Sequence, residues 1–295
     1  MASKKAPPIP ARRELPYGKA SLMSAELTPD GRSVLLAGFS GVYLIDEATG
    51  AEVLRYRPKL GNIVWTAQIT PDGSRVVAGN GSLMLQIWDA RTAALLFDLP
   101  SEAIVTRLSI SRDGKRAVTA AGNNRLRLWD LENGVPLGGL VTKKSFVIAA
   151  ALSPDGDVAM HGGTDGNVRL FDCVHEQPIT MTMGKGWIEV IERSSDGRFF
   201  VSAGRDKTVM IWTAKGEHVR TLHGATRTIS SVTISPDGGR VVATGGGAPV
   251  VWDATDGKVL GKLAGEKVAY VRFSHDGRSI VTLDHTGFVR IHDTP

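Results

Sequence analysis

Pairs of apolar residues two apart recur along this chain at intervals of about forty residues: Leu85 and Ile87, Leu126 and Leu128, Val168 and Leu170, Val209 and Ile211, Val289 and Ile291. A period of two is that of a strand, and no helical period competes with it. Each pair lies ahead of a short mark: LID at 44–46, IWD at 87–89, LWD at 128–130, LFD at 170–172, IWT at 211–213, VWD at 251–253 and IHD at 291–293. Sixteen or 17 residues before the end of each mark stands the Asp of a turn signature: TPDG at 28–31, TPDG at 70–73, SRDG at 111–114, SPDG at 153–156, SSDG at 194–197, SPDG at 235–238 and SHDG at 274–277. Asp bonds its own backbone and Gly accepts positive φ, so these are tight reversals. Successive turn aspartates are 42, 41, 42, 41, 41 and 39 residues apart. Extended runs flank each turn, as at Val105, Leu108, Ile110 and Val241–Ala243, and a further run follows each mark, as at Ala94–Asp98, Val219–Leu222 and Val259–Leu263. Each period therefore predicts a four-stranded antiparallel sheet.

A forty-residue period whose third strand ends in Trp-Asp resembles the WD-repeat propellers, and all seven registers agree. The resemblance implies an all-β chain folded as one seven-bladed β-propeller over residues 10–295, after a flexible leader of residues 1–9. The last repeat stops at Pro295 without an outer strand, so Arg12–Tyr17 is expected to complete that blade and close the ring. Several positions depart from the family pattern. The Gly-His pair that such repeats often carry before the innermost strand is replaced by LHGA at 222–225 and LAGE at 263–266, and the Trp column reads Ile45, Phe171 and His292 in three repeats. A ring held more by packing between blades than by that histidine network is expected. Arg193 stands where the other repeats have Leu27, Ile69, Ile110, Leu152, Ile234 and Phe273, and Pro249 predicts an altered strand in the sixth repeat.

Composition narrows the function. Apolar residues make up 42% of the 295 residues and charged residues 22%, an ordinary globular balance. The single cysteine, Cys173, forms no internal disulfide, and the longest apolar run, Phe146 to Leu152, is too short to span a bilayer. MASKKAPPIPARR has prolines where a secretory signal has an apolar stretch. A cytoplasmic monomer is expected, with no cofactor. GxSxG, HExxH, GxxxxGK[ST] and CxxC patterns are absent, and the seven histidines fall at non-equivalent repeat positions. No catalytic and no metal-ligating set is predicted.

The resemblance implies partner binding on the narrower face, built by the loops that enter the innermost strands and those between second and third strands. In register, the residues nine before each turn Asp are Ser21, Ile63, Ile104, Phe146, Trp187, Thr228 and Lys267; seven before it stand Met23, Trp65, Thr106, Ile148, Glu189, Ser230 and Ala269. From these, Ile63, Trp65, Phe146, Ile148, Trp187 and Glu189 make up an expected hot-spot patch. The entering loops add Lys19, Arg57, Lys59, Lys143, Lys144, Lys185, Arg227 and Lys267, which makes this rim basic within a net charge of +5. The predicted function is a non-catalytic scaffold that docks a peptide or partner domain, acidic in character. Two alternatives are a propeller enzyme with a site converging in the channel, and a nucleic-acid or anion binder driven by charge.

Overall fold

The structure, a computed structural model, describes residues 8–16, 21–58, 63–142, 145–183 and 186–295. Among these residues there is no helix; seven four-stranded antiparallel sheets stand around a channel. Each sheet is one blade, its strands following the chain from channel to rim. The first blade runs Leu22–Leu27, Ser33–Gly38, Gly41–Asp46 and Glu52–Tyr56. The innermost strands of blades two to seven are Val64–Ile69, Arg107–Ile110, Val147–Leu152, Ile188–Arg193, Ser231–Ile234 and Val268–Phe273. Blade seven takes its outer strand from the other end of the chain: Arg13–Pro16 pairs antiparallel with Phe288–Asp293, Leu15 opposite Val289.

The PDG turns form as their residues dictate. Thr28 Oγ1 donates to Asp30 Oδ1 at 2.6 Å, the same Oδ1 accepts the Arg32 N–H at 3.1 Å, and Gly31 takes φ +70°. The Thr28 hydroxyl and the Arg32 N–H hold the Asp30 carboxyl below its usual range. A Ser or Thr hydroxyl makes the same bond to its turn Asp in the other six repeats.

The apolar core is divided into seven clusters, each between two adjacent blades; Val201, Ile211 and Leu222 of blade five, for example, meet Val232, Val241 and Trp252 of blade six. Trp88, Trp129, Trp212 and Trp252 are fully buried in these seams. Hydrogen bonding contributes beside packing. Trp129 Nε1 donates to Thr119 Oγ1 at 2.9 Å and Trp212 Nε1 to Ser202 Oγ at 2.8 Å, while Trp252 Nε1 finds the His223 carbonyl at 2.8 Å. Two of these tryptophans thus bond a hydroxyl on the second strand of their own blade, and the third a backbone carbonyl. The altered strand expected at Pro249 is the short Val250–Asp253.

Most of the leader expected over residues 1–9 lies outside the described residues, but Ile9 within it is bound. Its N–H donates to Lys262 O at 2.8 Å and its carbonyl accepts from Ala264 at 2.7 Å, with its side chain packed on the seam between blades six and seven. Pro10 O then accepts from His292 of blade seven, and Arg12 reaches both Asp293 and Glu47 of blade one. One short segment ties three blades together.

Candidate functional site

The narrow face is shaped by a repeated irregularity. In blades one, two, four, five and seven the pairing of first and second strands shifts register, leaving Met23, Trp65, Ile148, Glu189 and Ala269 as the extra residue of a bulge. A bulge re-aims one side chain without ending the strand. This is why the column seven before the turn Asp is distinct from its neighbours. Met23, Trp65, Thr106, Ser230 and Ala269 line a cavity of about 250 Å³ at this end of the channel. Ile148 and Glu189 hold the equivalent position in blades four and five but do not line it; Glu189 is instead paired with Arg205 Nε at 2.9 Å.

The column two residues earlier is presented by close backbone approach. A Cβ on Gly163 would fall 1.7 Å from the Phe146 carbonyl, and one on Gly204 1.8 Å from that of Trp187. Glycine at these two positions seats the loop that carries each aromatic outward. Phe146 is 57% and Trp187 39% exposed, large values for aromatic side chains, whereas Ile63 and Trp65 are half-buried. Arg205 stacks on the Trp187 ring, its Cζ 3.5 Å from the centroid. Ile104 and Leu83 extend the exposed apolar arc toward blade two.

Charge around this arc is unevenly matched. Glu102, Asp165, Glu189 and Asp284 are each held by an arginine of the same face. Arg57, Arg227 and Lys267 are exposed and make no ion pair among the described residues. Lys19, Lys59, Lys143, Lys144 and Lys185 lie outside the described residues.

A family model for the WD domain, G-beta repeat, matches residues 95–130, 134–172, 178–213 and 216–253, together half of the chain. The chain belongs to the WD40 repeat family. Each matched WD40 repeat starts on, or one or two residues ahead of, the outer strand of one blade and ends on the third strand of the next. The same phase puts Arg13–Pro16 ahead of blade one in sequence and on blade seven in space. The chain is similar to the small ribosomal subunit protein RACK1 of Caenorhabditis elegans, 29% identical over 184 residues that cover 46% of this chain and 56% of that protein. It is also similar to the small ribosomal subunit protein RACK1y of Oryza sativa subsp. japonica, 30% identical over 186 residues, 45% of this chain and 55% of that one. The chain spans about half the length of the curated relatives it matches.

Sequence reasoning missed the polar lining of this WD40 channel. Arg107 crosses it from blade three: Nη2 lies 3.3 Å from Glu189 O and 3.5 Å from Ser230 O, and Nη1 3.0 Å from Thr106 O. These partners are carbonyls, and desolvation pulls the guanidinium below its usual range. Deeper in, Arg272 joins Glu26 of blade one, Nε to Oε1 at 3.1 Å, to Glu192 of blade five, Nη1 to Oε1 at 3.3 Å. The signal was present in register. Four before the turn Asp stand Glu26, Gln68, Ser109, Ala151, Glu192, Thr233 and Arg272, a column polar in six of the seven repeats inside a strand that otherwise reads apolar. Among the described residues no group of His, Cys, Asp and Glu is placed to hold a metal ion, and no helix is long and apolar enough to cross a membrane.

Proposed function

We propose that the chain is a non-catalytic docking scaffold whose narrow face captures an acidic peptide or the acidic segment of a partner protein. The observation that carries this reading is the pairing of two outward aromatics on adjacent blades, Phe146 and Trp187, with a channel mouth barred by a cation that has only carbonyl partners, Arg107. Exposed aromatic anchors supply apolar area at low entropic cost, and a basic rim raises the rate of encounter with acidic partners. Trp65 Nε1 is buried without a hydrogen-bond partner among the described residues, so an acceptor on the ligand would complete it. The expected site is therefore Ile63, Trp65, Phe146, Ile148, Trp187 and Glu189, with Lys143, Lys144, Lys185, Arg227 and Lys267 as its rim. The relatives are named as proteins of a ribosomal subunit, an assembly of many components. That favours a cytoplasmic scaffold over an enzyme for this chain.

The test is capture from a lysate of the native host with wild type and with Phe146→Ala/Trp187→Ala. Partners lost from the double variant at unchanged melting temperature support the reading. An identical captured set refutes it.

A further inference from the structure

Four of the positions at which the repeat departs from its own signature look unrelated along the chain. Arg112, Ser195 and His275 replace the proline of the PDG turn in blades three, five and seven, and Arg193 replaces an apolar residue. All four line a single cavity of about 510 Å³ at the end of the channel formed by those turns, opposite the narrow face. Pro71 and Pro236, which keep the turn proline, and Ile69 and Ile110, in the register of Arg193, line it too, so the four replacements bring polar and charged groups to a wall that is otherwise apolar at these registers.

Charge within this cavity is partly matched. Arg272 is shared between Glu26 and Glu192. Asp196 and Asp237, also on the wall, are occupied within their own turns: Asp196 accepts from Ser194 Oγ at 2.6 Å and Arg198 N–H at 3.0 Å, Asp237 from Ser235 Oγ at 2.6 Å and Gly239 N–H at 2.9 Å. Two guanidinium groups and one nitrogen of an imidazole remain with bonding capacity, the other imidazole nitrogen, His275 Nε2, standing 3.9 Å from Glu26 Oε1. Arg193 gives Nη2 to Ile110 O at 2.9 Å and Nη1 to Ser194 O at 3.4 Å, both carbonyls, and its main countercharge is Glu192, which Arg272 already engages. Its Nε and the Nδ1 of His275 are buried without a hydrogen-bond partner among the described residues. The Arg112 side chain makes no hydrogen bond or ion pair there. Desolvation pushes Arg193 down to about 10. A buried cation with an unmade bond keeps the capacity to hold a further acceptor.

We propose that this cavity binds a small phosphate-class oxyanion, free or carried as a monoester, held by Arg193, Arg112 and His275. Guanidinium and imidazole donors converging on one space match the several acceptor oxygens of a phosphoryl group. The site lies at the far end of the channel from Phe146 and Trp187, so its occupancy and partner docking are separable.

The experiment uses the full chain, with inorganic phosphate and glycerol phosphate as probes and chloride at equal ionic strength as control, read by melting temperature and titration calorimetry. Arg193→Ile installs the residue of blades two, three and six, His275→Pro that of blades one, two, four and six, and Arg112→Ala removes a side chain that holds nothing in place. Wild type is expected to melt higher with phosphate than with chloride. Affinity should fall about tenfold or more in Arg193→Ile, the effect of losing one charged hydrogen bond, with no lower melting point in phosphate-free buffer. A tighter fit for the ester would identify a metabolite as the source, and equal binding would identify the free anion. The proposal is overturned if neither probe raises the melting point of wild type at tens of millimolar. It is equally overturned if Arg193→Ile and Arg112→Ala bind phosphate as wild type does.

Discussion

The hydroxyl of Ser109 accepts the backbone N–H of Leu152 at 3.1 Å, from one blade's innermost strand to the next. The inner edge of every sheet presents unpaired backbone groups to the channel, and this is how many of them are satisfied. Ser24 Oγ serves Ala67, Glu26 serves Ile69, Ser231 serves Val271 and Thr233 serves Phe273, while Gln68 Nε2 donates to Leu108 O. Ser109→Ala would leave the Leu152 N–H buried and unpaired, at a cost of about 1–3 kcal/mol. Denaturant unfolding checks this, and an unchanged midpoint would show that the bond does not help hold the ring.

Trp129 and Trp187 are expected to separate stability from binding. Trp129→Ala removes a fully buried ring and its bond to Thr119, and should cost about 3–5 kcal/mol. Trp187→Ala, at an exposed position, should change stability by less than about 1 kcal/mol and weaken partner capture. Unfolding curves together with capture yields distinguish the two, and equal effects of both variants on both readouts would contradict the division.

Ring closure depends on the first described residues. Deleting residues 1–20 removes the outer strand of blade seven and the bonds of Ile9, Pro10 and Arg12, so the melting temperature should fall sharply and sheet content with it. Ile9→Ala alone should cost about 1 kcal/mol through lost apolar contact at the seam between blades six and seven. A truncated chain that melts like the full one would refute closure by this segment.

Two buried histidines make stability fall in mild acid. Burial, aided by Arg169, pushes His161 down to about 4. Burial also lowers His292, whose Nδ1–H donates to Pro10 O and whose Nε2 accepts from Thr282, each at 3.2 Å. The unfolded chain therefore takes up these protons first. The stabilisation is complete above a pH of about 6.5 and is lost as pH falls from there toward 4. From His161 alone the loss between pH 7 and 5 should be about 2 kcal/mol. His161→Ala, which installs the residue found at this position in blades two and six, should flatten that dependence. Stability constant from pH 7.5 to 5 would contradict the assignment.

Fold and closure were legible because every repeat states them again: the turn Asp, the strand period and the Trp-Asp mark each occur in register, so one degraded copy such as His292 does not hide the rest. Trp187 and Phe146 were picked out by that register, as the aromatics nine residues before a turn Asp. The channel was not, because Glu26, Glu192 and Arg272 lie 166 and 80 residues apart and meet only when the ring closes. Ile9 was missed because one apolar residue among prolines has no period, and its partner strand is at the far end of the chain.

The docking reading is tested most directly by comparing the host proteins retained by three equally stable chains: wild type, Phe146→Ala/Trp187→Ala on the narrow face, and Arg112→Ala on the opposite face. Quantitative mass spectrometry of the captured material is the readout, at low and high salt. Retained partners should be acidic, should be lost from the narrow-face variant and kept by the opposite-face variant, and should weaken as salt rises. The same partners on all three chains, indifferent to salt, would contradict docking on this face.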